Sequence, residues 1–456
     1  MNDKEDSIIL NFIKKIIKSD KKQQRHTEPV VYPRSQHNIS RSQISENALK
    51  VLYRLKKSGY ESYLVGGCVR DLLLGREPKD FDVVTDASPE QVRQVFRNCR
   101  LIGRRFRLAH VHFGREIIEV ATFRGTTAEK GNHERVQKKG RLLRDNVYGT
   151  IEEDVWRRDF TVNALYYNIR DFSVVDYVDG MSDHRNGVLR LIGDPVTRYH
   201  EDPVRMLRAI RFAVKLGFML HPDCEKPIKE MSGLLSSIPP ARLYDENLKL
   251  FLSGYALQTY EMLRHYELFS ILFPATDECL TEQDHGFPKL FIVKALQNTD
   301  IRIAGAKGVT PYFLLAAFLW EPVRALAMLK MEQGVSEAVA FQEAGGEVIS
   351  RQVKSTAFPR RVGLSMREVW NLQARFNKRT GVRPQKLLSH PRFRAAYDFL
   401  LLRSETGQVD KELADWWTRF QEADEKEQQK MTRTAGKRTG RQRRPRRNYR
   451  SKAQQN

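Results

Sequence analysis

One stretch constrains this chain more than any other: Leu64–Asp86, LVGGCVRDLLLGREPKDFDVVTD. A short apolar run, Tyr63-Leu64-Val65, breaks at Gly66-Gly67, and a helical pattern over Val69–Leu74 then stops at Gly75. A second apolar run with β-branched residues, Phe81–Thr85, follows at once. Strand, glycine turn, helix and strand in so short a span predict a sheet with helices packed on it. The turn has a chemical use. Backbone without side chains at Gly66 and Gly67 approaches a phosphate chain closely, and the helix start behind it offers free N–H groups. Arg70 adds a charge-assisted donor. Asp80 and Asp82 stand two apart on the next strand, so their carboxylates project from one face while Phe81 and Val83 point into the core. Two such carboxylates repel unless a cation sits between them, and magnesium takes one or two carboxylates plus substrate phosphates. A glycine pair alone would read as a tight turn, and a lone DxD as exposed acids at a sheet edge. Together they favour a metal and phosphate site.

The flanking sequence extends the same architecture. Ser45–Ser58 is amphipathic, Ser88-Pro89-Glu90 is a helix start, and Leu108–Phe113 and Glu116–Phe123 are strands joined by Gly114-Arg115. Residues 124–150 are polar and basic and read as a mobile loop. From Asp202 onward the pattern is mainly helical, broken by prolines at 239–240 and near 310. Ser7–Lys18 has helical periodicity with its isoleucines near one face, which suits a docking helix better than a membrane-surface one. Residues 19–40 read as a polar, basic linker.

Charge narrows the partner. The 456 residues carry 78 Lys and Arg against 56 Asp and Glu, a net +22, which points to a polyanion. Met431–Asn456 holds ten of the basic residues and no acid, so it is expected to be disordered. No run approaches the ~18 apolar residues of a membrane span. Four scattered cysteines without a CxxC pair argue against a zinc ribbon or a disulfide framework. With no secretory leader pattern at Met1, a cytoplasmic protein is the expectation.

Further residues bear on the chemistry. A two-metal site usually needs a third carboxylate, and two candidates exist: Glu119 in Ile117-Ile118-Glu119-Val120, and Asp159 in RRDFTVNA. Either has a plainer reading, Glu119 as a solvated acid and Asp159 as the partner of an arginine. In HEDPVRMLRAIRF (200–212), Asp202-Pro203 is a helix start, with Arg205 and Arg208 at i+3 and i+6. A carboxylate that accepts from an exocyclic amine, beside an arginine that donates to the adjacent ring nitrogen, selects adenine or cytosine and rejects guanine and uracil. Asp202 with Arg205 would therefore select ATP or CTP without choosing between them.

Taken in order, LVGGCVRDLLLG…KDFDVVTD, RRDFTVNAL and EDPVRMLRAIRF resemble the class II nucleotidyltransferases, which comprise bacterial poly(A) polymerases and CCA-adding tRNA nucleotidyltransferases. RRFRLAHV (104–111), IGDPVTRY (192–199), PPARL (239–243) and HPRFRAAYD (390–398) resemble the poly(A) polymerase branch. The resemblance covers roughly residues 40–420. It implies an α/β head of polymerase-β-like type, a small mixed sheet with helices, followed by mainly α-helical neck, body and leg. The expected divisions are 1–40 basic extension, 41–195 catalytic head, 196–265 helical neck with base recognition and RNA binding, 266–430 helical, RNA-binding body and leg, and 431–456 disordered arginine-rich tail. It implies polynucleotide adenylyltransferase activity: template-independent addition of AMP from ATP to RNA 3′ ends, releasing pyrophosphate and making tails that promote RNA decay. CCA addition is the alternative. By the same resemblance Asp80 and Asp82 hold two Mg²⁺ ions, Asp159 is preferred to Glu119 as the third catalytic acid, and Arg158 and Asn163 face the nucleotide. Gly66, Gly67 and Arg70 bind the triphosphate. An RNA chaperone or RNA-decay machinery is a possible partner class that the sequence does not identify.

Overall fold

The computed structural model describes residues 28–103, 107–125, 137–138, 141–142, 148–282 and 290–439. The Ser7–Lys18 helix, Arg104–Phe106 and the tail beyond 439 lie outside them. The chain divides into two compact units, Met1–Met231 and Ser232–Asn456. The division falls inside the 196–265 segment read as a neck.

Among the described residues of the first unit twelve strands are formed: β1 (Val30–Tyr32), β2 (Ser62–Val65), β3 (Asp82–Thr85), β4 (Cys99–Ile102), β5 (Leu108–Phe113), β6 (Glu116–Thr122), β7 (Gln137–Lys138), β8 (Arg141–Leu142), β9 (Leu165–Asn168), β10 (Val174–Asp176), β11 (Val188–Leu189) and β12 (Met219–Leu220). Eight of them make one sheet in the order β1-β10-β9-β2-β3-β6-β5-β4. Only the β3·β6 pair is parallel, so the sheet is mixed. Strand alternation separates two cores. Leu64, Val83, Val111, Val120 and Tyr167 face one cluster, closed by Ala48, Val51, Leu52 and Leu55 of the helix Glu46–Lys57. Val65, Val84, Tyr166 and Val175 face the other, closed by Val155, Val178 and Ile192.

Three local expectations are corrected. Residues 28–40 are not a linker: β1 adds to the sheet edge against β10, and Ile39 is fully buried. Part of the 124–150 loop is a short antiparallel pair, β7 with β8. The tail does not begin at 431, because Glu425–Thr439 is helical, Thr432 is buried, and Met431 packs on an aromatic cluster. That cluster, built on Phe376, Phe393, Trp417 and Phe420, belongs to the second unit.

Among its described residues the second unit is helical throughout, from Ser232–Ser237 to Glu425–Thr439. Phe251, Phe269, Phe273 and Phe318 form a second aromatic core, with Phe273 and Phe318 ring centroids 4.7 Å apart. No single described helix is long and apolar enough to cross a membrane. The bent pair Pro311–Phe318 and Trp320–Glu332 meets the length and composition test jointly, yet Leu314–Phe318 and Trp320 are buried in the core.

Candidate active site

The glycine turn shows two different reasons for glycine. β2 runs into Gly66, whose φ of +78° lies in the region side chains avoid, and the helix Gly67–Leu73 starts behind it. A Cβ at Gly66 would meet only Arg158 Nη1 at 3.6 Å and the Asn163 carbonyl at 4.0 Å, so backbone conformation, not space, demands glycine there. Gly67 has no such φ, and a Cβ there would touch Arg70 Nη2 at an ordinary 3.6 Å. The fold places no demand at 67, so the bare backbone at that position remains to be used by something outside the fold.

Beneath the turn, Arg70 is buried and donates Nη1 to Asn163 Oδ1 at 2.6 Å and Nη2 to Asp71 Oδ1 at 2.6 Å. The Gly-Gly turn and the RRDFTVNA segment are thereby tied together. Arg158 reaches the same place from the other side. It donates Nε to Tyr166 Oη at 2.9 Å, Nη2 to Asp154 Oδ2 at 2.9 Å and Nη1 to the Asn163 carbonyl at 3.4 Å. Asp154 also accepts from Tyr166 Oη at 2.7 Å. Asp154, which the sequence reading passed over, is thus the anchor of Arg158. Its visible signal is only a first-turn acid behind a Thr150–Glu153 capping box.

β3 begins at Asp82, and Asp80 lies exposed just ahead of it. Phe81 packs toward the first core and Val84 lies in the second, so Asp82 emerges on the second face. Parallel pairing sets Asp82 directly beside Glu119 of β6. The Asp82 carboxyl is pushed up to about 6, first by burial, then by Glu119 and Asp80, with Arg158 opposing. Glu119 is half exposed, and its Oε1 lies 3.4 Å from His110 Nε2 on β5. Among the described residues no three His, Cys, Asp or Glu side chains converge as a metal-holding group. The donors at hand are therefore a carboxylate pair with a third acid alongside. That set suits a hard divalent ion whose remaining ligands come from a substrate's phosphates.

Asp159 is engaged elsewhere. Its Oδ1 accepts from Arg205 Nε at 2.9 Å and its Oδ2 from Arg208 Nη1 at 2.5 Å. Asp159 and Arg205 are only 12% and 11% exposed. The segment that carries Asp159 is clamped by neighbours: its carbonyl accepts from Ile192 N, and Thr161 Oγ1 donates to Asp183 Oδ2 at 2.7 Å. Arg205 is further committed to Glu201 Oε2 at 3.0 Å and to the Arg198 carbonyl at 2.7 Å. Asp202 ends the helix Pro195–Glu201, and its Oδ1 accepts from Val204 N at 3.3 Å, where Pro203 starts the helix Val204–Leu216. The Arg205 side chain thus pairs with Asp159, while Arg205 N donates to the Asp202 carbonyl at 3.0 Å. Gly66, Gly67, Arg70, Arg158 and Asn163 are brought together at the turn, Asp80 and Asp82 at the start of β3, and Asp159, Arg205 and Arg208 into an ion-paired knot.

A mixed sheet with a Gly-Gly turn and an acidic strand start, continued by helices, defines a polymerase-β-like nucleotidyltransferase. The Bacillus stearothermophilus CCA-adding enzyme solved with CTP has this fold, at a TM-score of 0.52 and 26% identity over 82% of this chain and 80% of that one. Family models match in sequence: the Poly A polymerase head domain over 62–190, the Probable RNA and SrmB-binding site of polymerase A over 217–280, and the Polymerase A arginine-rich C-terminus over 333–451. Poly(A) polymerase I of Escherichia coli O157:H7 is 50% identical over 429 residues, 91% of each chain. The CCA-adding enzyme of Lactobacillus johnsonii is 35% identical over 306 residues, 64% of this chain and 71% of its own. The chain belongs to the poly(A) polymerase I family.

Proposed function

We propose that the first unit joins AMP from ATP to the 3′-hydroxyl of RNA, and that Asp80 and Asp82 are the carboxylates around which this transfer is built. The observation that carries the proposal is Asp82 itself: a carboxyl crowded by Glu119 and Asp80, on the strand that follows the glycine turn and its helix. Asp80 and Asp82 would hold divalent ions, Mg²⁺ by donor chemistry, which when bound supply Lewis-acid polarisation of the hydroxyl and phosphate oxygens. The chain's own residues position the substrate. The Gly66-Gly67 backbone admits the triphosphate, and Arg70 holds the turn to Asn163 so that its N–H groups stay aimed. Arg158, fixed by Asp154 and Tyr166, places a positive charge within reach of the turn. Asp159 acts by holding Arg205 and Arg208 rigid, leaving Glu119 as the acid nearest in register to Asp82. Asp202 with Arg205, held by Asp159, would read the amine-bearing base edge, which suits ATP or CTP; membership of the family favours ATP.

The sequence-independent part of RNA binding goes through the phosphates, as the net +22 and the arginine-rich C-terminus suit. The cytoplasm, where ATP and RNA ends meet an RNA chaperone or decay machinery, is the setting this reaction needs. Incubation of a generic RNA primer with ATP alone and with CTP alone is the test. Long A-tracts with ATP are expected. Arrest after C, C and A on trimmed tRNA would assign the chain to the other branch.

A further inference from the structure

HPRFRAAYD (390–398) has no part in the site above, yet it builds a second cavity wholly within the helical unit. On the helix Phe393–Glu405, Phe393, Ala396 and Tyr397 are buried in the aromatic core, while Arg394 and Asp398 line the cavity one turn apart. The cavity, about 420 Å³, is completed by Arg302 of the helix Leu290–Ala304 and by Tyr312 and Phe313. That volume lies within the roughly 300–1,000 Å³ of small-ligand sites.

Its lining makes three demands on an occupant. Phe313 and Leu401 offer apolar walls, and Tyr312, with Arg392 5.1 Å over its ring, offers an aromatic surface. Asp398, part-buried, accepts from Arg394 Nε at 3.1 Å through Oδ1 and has a second oxygen to offer a donor. Burial raises its pKa although Arg394 and Arg302 oppose the rise, so a hydrogen-bond donor arriving there would relieve it. Arg394, 72% exposed and paired to Asp398 through Nε, and Arg302, which donates Nη2 to the Gly308 carbonyl at 3.2 Å, have further N–H groups to offer an anion, with Glu405 on the same lining opposing it. Flat apolar faces, an exocyclic amine and a phosphate are carried together by an adenine nucleotide. Uracil has the faces and the phosphate and lacks the amine.

We infer that this cavity binds an adenosine unit of the RNA being tailed, with the base between its apolar walls, the amine toward Asp398 and the phosphate toward Arg302 and Arg394. Aromatic and arginine surfaces of this kind are how single-stranded RNA is commonly gripped. A free adenine nucleotide carries the same chemistry, so the test must separate the two.

The full-length protein is assayed by fluorescence anisotropy with A15 and U15 RNA, as wild type, Arg394→Ala and the cavity-filling Ala395→Trp. Both variants should weaken A15 about tenfold, the size of one lost charge-assisted contact. U15 should stay within about twofold, and ATP incorporation on a short non-A primer should be unchanged, which also reports that the variants fold. AMP at millimolar concentration should leave wild-type A15 binding in place. Equal loss of A15 and U15, or no loss of either, would show that the cavity does not read a base. Displacement of A15 by AMP, with ATP incorporation intact, would make it a free-nucleotide effector site. A partner protein whose binding Ala395→Trp abolishes while A15 is untouched would reassign it to protein docking.

Discussion

Two aspartates of the first unit sit in opposite electrostatic worlds. Asp82 shares its strand start with Asp80 and lies in register with Glu119, so its charge is opposed by its neighbours. Asp159 lies in a segment just as buried, but Arg205 and Arg208 neutralise both of its oxygens. The same side chain is thus short of a cation in one place and fully supplied in the other. An acid already satisfied by protein has little left for a metal or a reacting group; an acid held at a cost is poised for one. The contrast supports the proposed roles of the two acids, and it can be broken experimentally.

The largest effect belongs to Asp82→Ala. Loss of several kcal/mol of transition-state stabilisation should cut ATP incorporation by on the order of 10³-fold, while the unfolding midpoint stays level or rises. Activity near that of wild type would remove Asp82 from the chemistry. Next is Asp159→Asn, which removes the carboxylate from Arg208 and leaves Arg205 with Glu201 as its carboxylate partner. Breaking such a pair should cost roughly 3 kcal/mol, about 6–12 °C in the midpoint of a unit of this size. If Asp159→Asn melts like wild type but loses as much activity as Asp82→Ala, Asp159 is a catalytic acid and the contrast fails.

How much of this was legible before the structure depends on reach along the chain. The Gly-Gly turn, Ser88 at its cap and the β5–β6 hairpin are local, and their residues announce them. β1 does not: its three residues show no period and gain meaning only by pairing with β10, far downstream. Glu119 stood out as a candidate by its flanking residues, but its place beside Asp82 depends on the parallel β3·β6 register, which no short window encodes. Asp154 was invisible because its partners, Arg158 and Tyr166, converge through tertiary folding. Asp202 and Arg205 show the converse: helical spacing suggested a pair, while a non-local acid, Asp159, took the arginine.

A smaller effect comes from pH. Asp82 has a folded pKa of about 6, above its ordinary value of 3.8. The folded state therefore binds the proton more tightly, and stability is lost as pH rises from about 4 through 6. In EDTA, Asp82→Asn should match wild type near pH 4 and exceed it above pH 7, by at most about 3 kcal/mol for a shift of this size. Added Mg²⁺ should then stabilise wild type and leave Asp82→Asn unmoved. Parallel melting curves at all pH values would mean the carboxylate is not crowded in solution.

The smallest effect sharpens the comparison most, because it separates burial from repulsion at Asp82. Burial is the larger cause of the raised value, and Glu119 is the first of the charges that add to it. Glu119→Gln keeps the shape and the cross-strand place while removing that charge. The stability it returns to metal-free protein above pH 7 should be about 1 kcal/mol or less, since Glu119 is half exposed and solvent screens it. The informative reading is the upper end of the pH-dependent phase in the EDTA melts, where the folded carboxyl titrates. It should move from about 6 toward the ordinary carboxylate range, because one of the repelling groups is gone and Arg158 still attracts. An upper end that stays near 6 would assign the shift to burial and Asp80, and Glu119 would lose its standing as an acid that acts on Asp82.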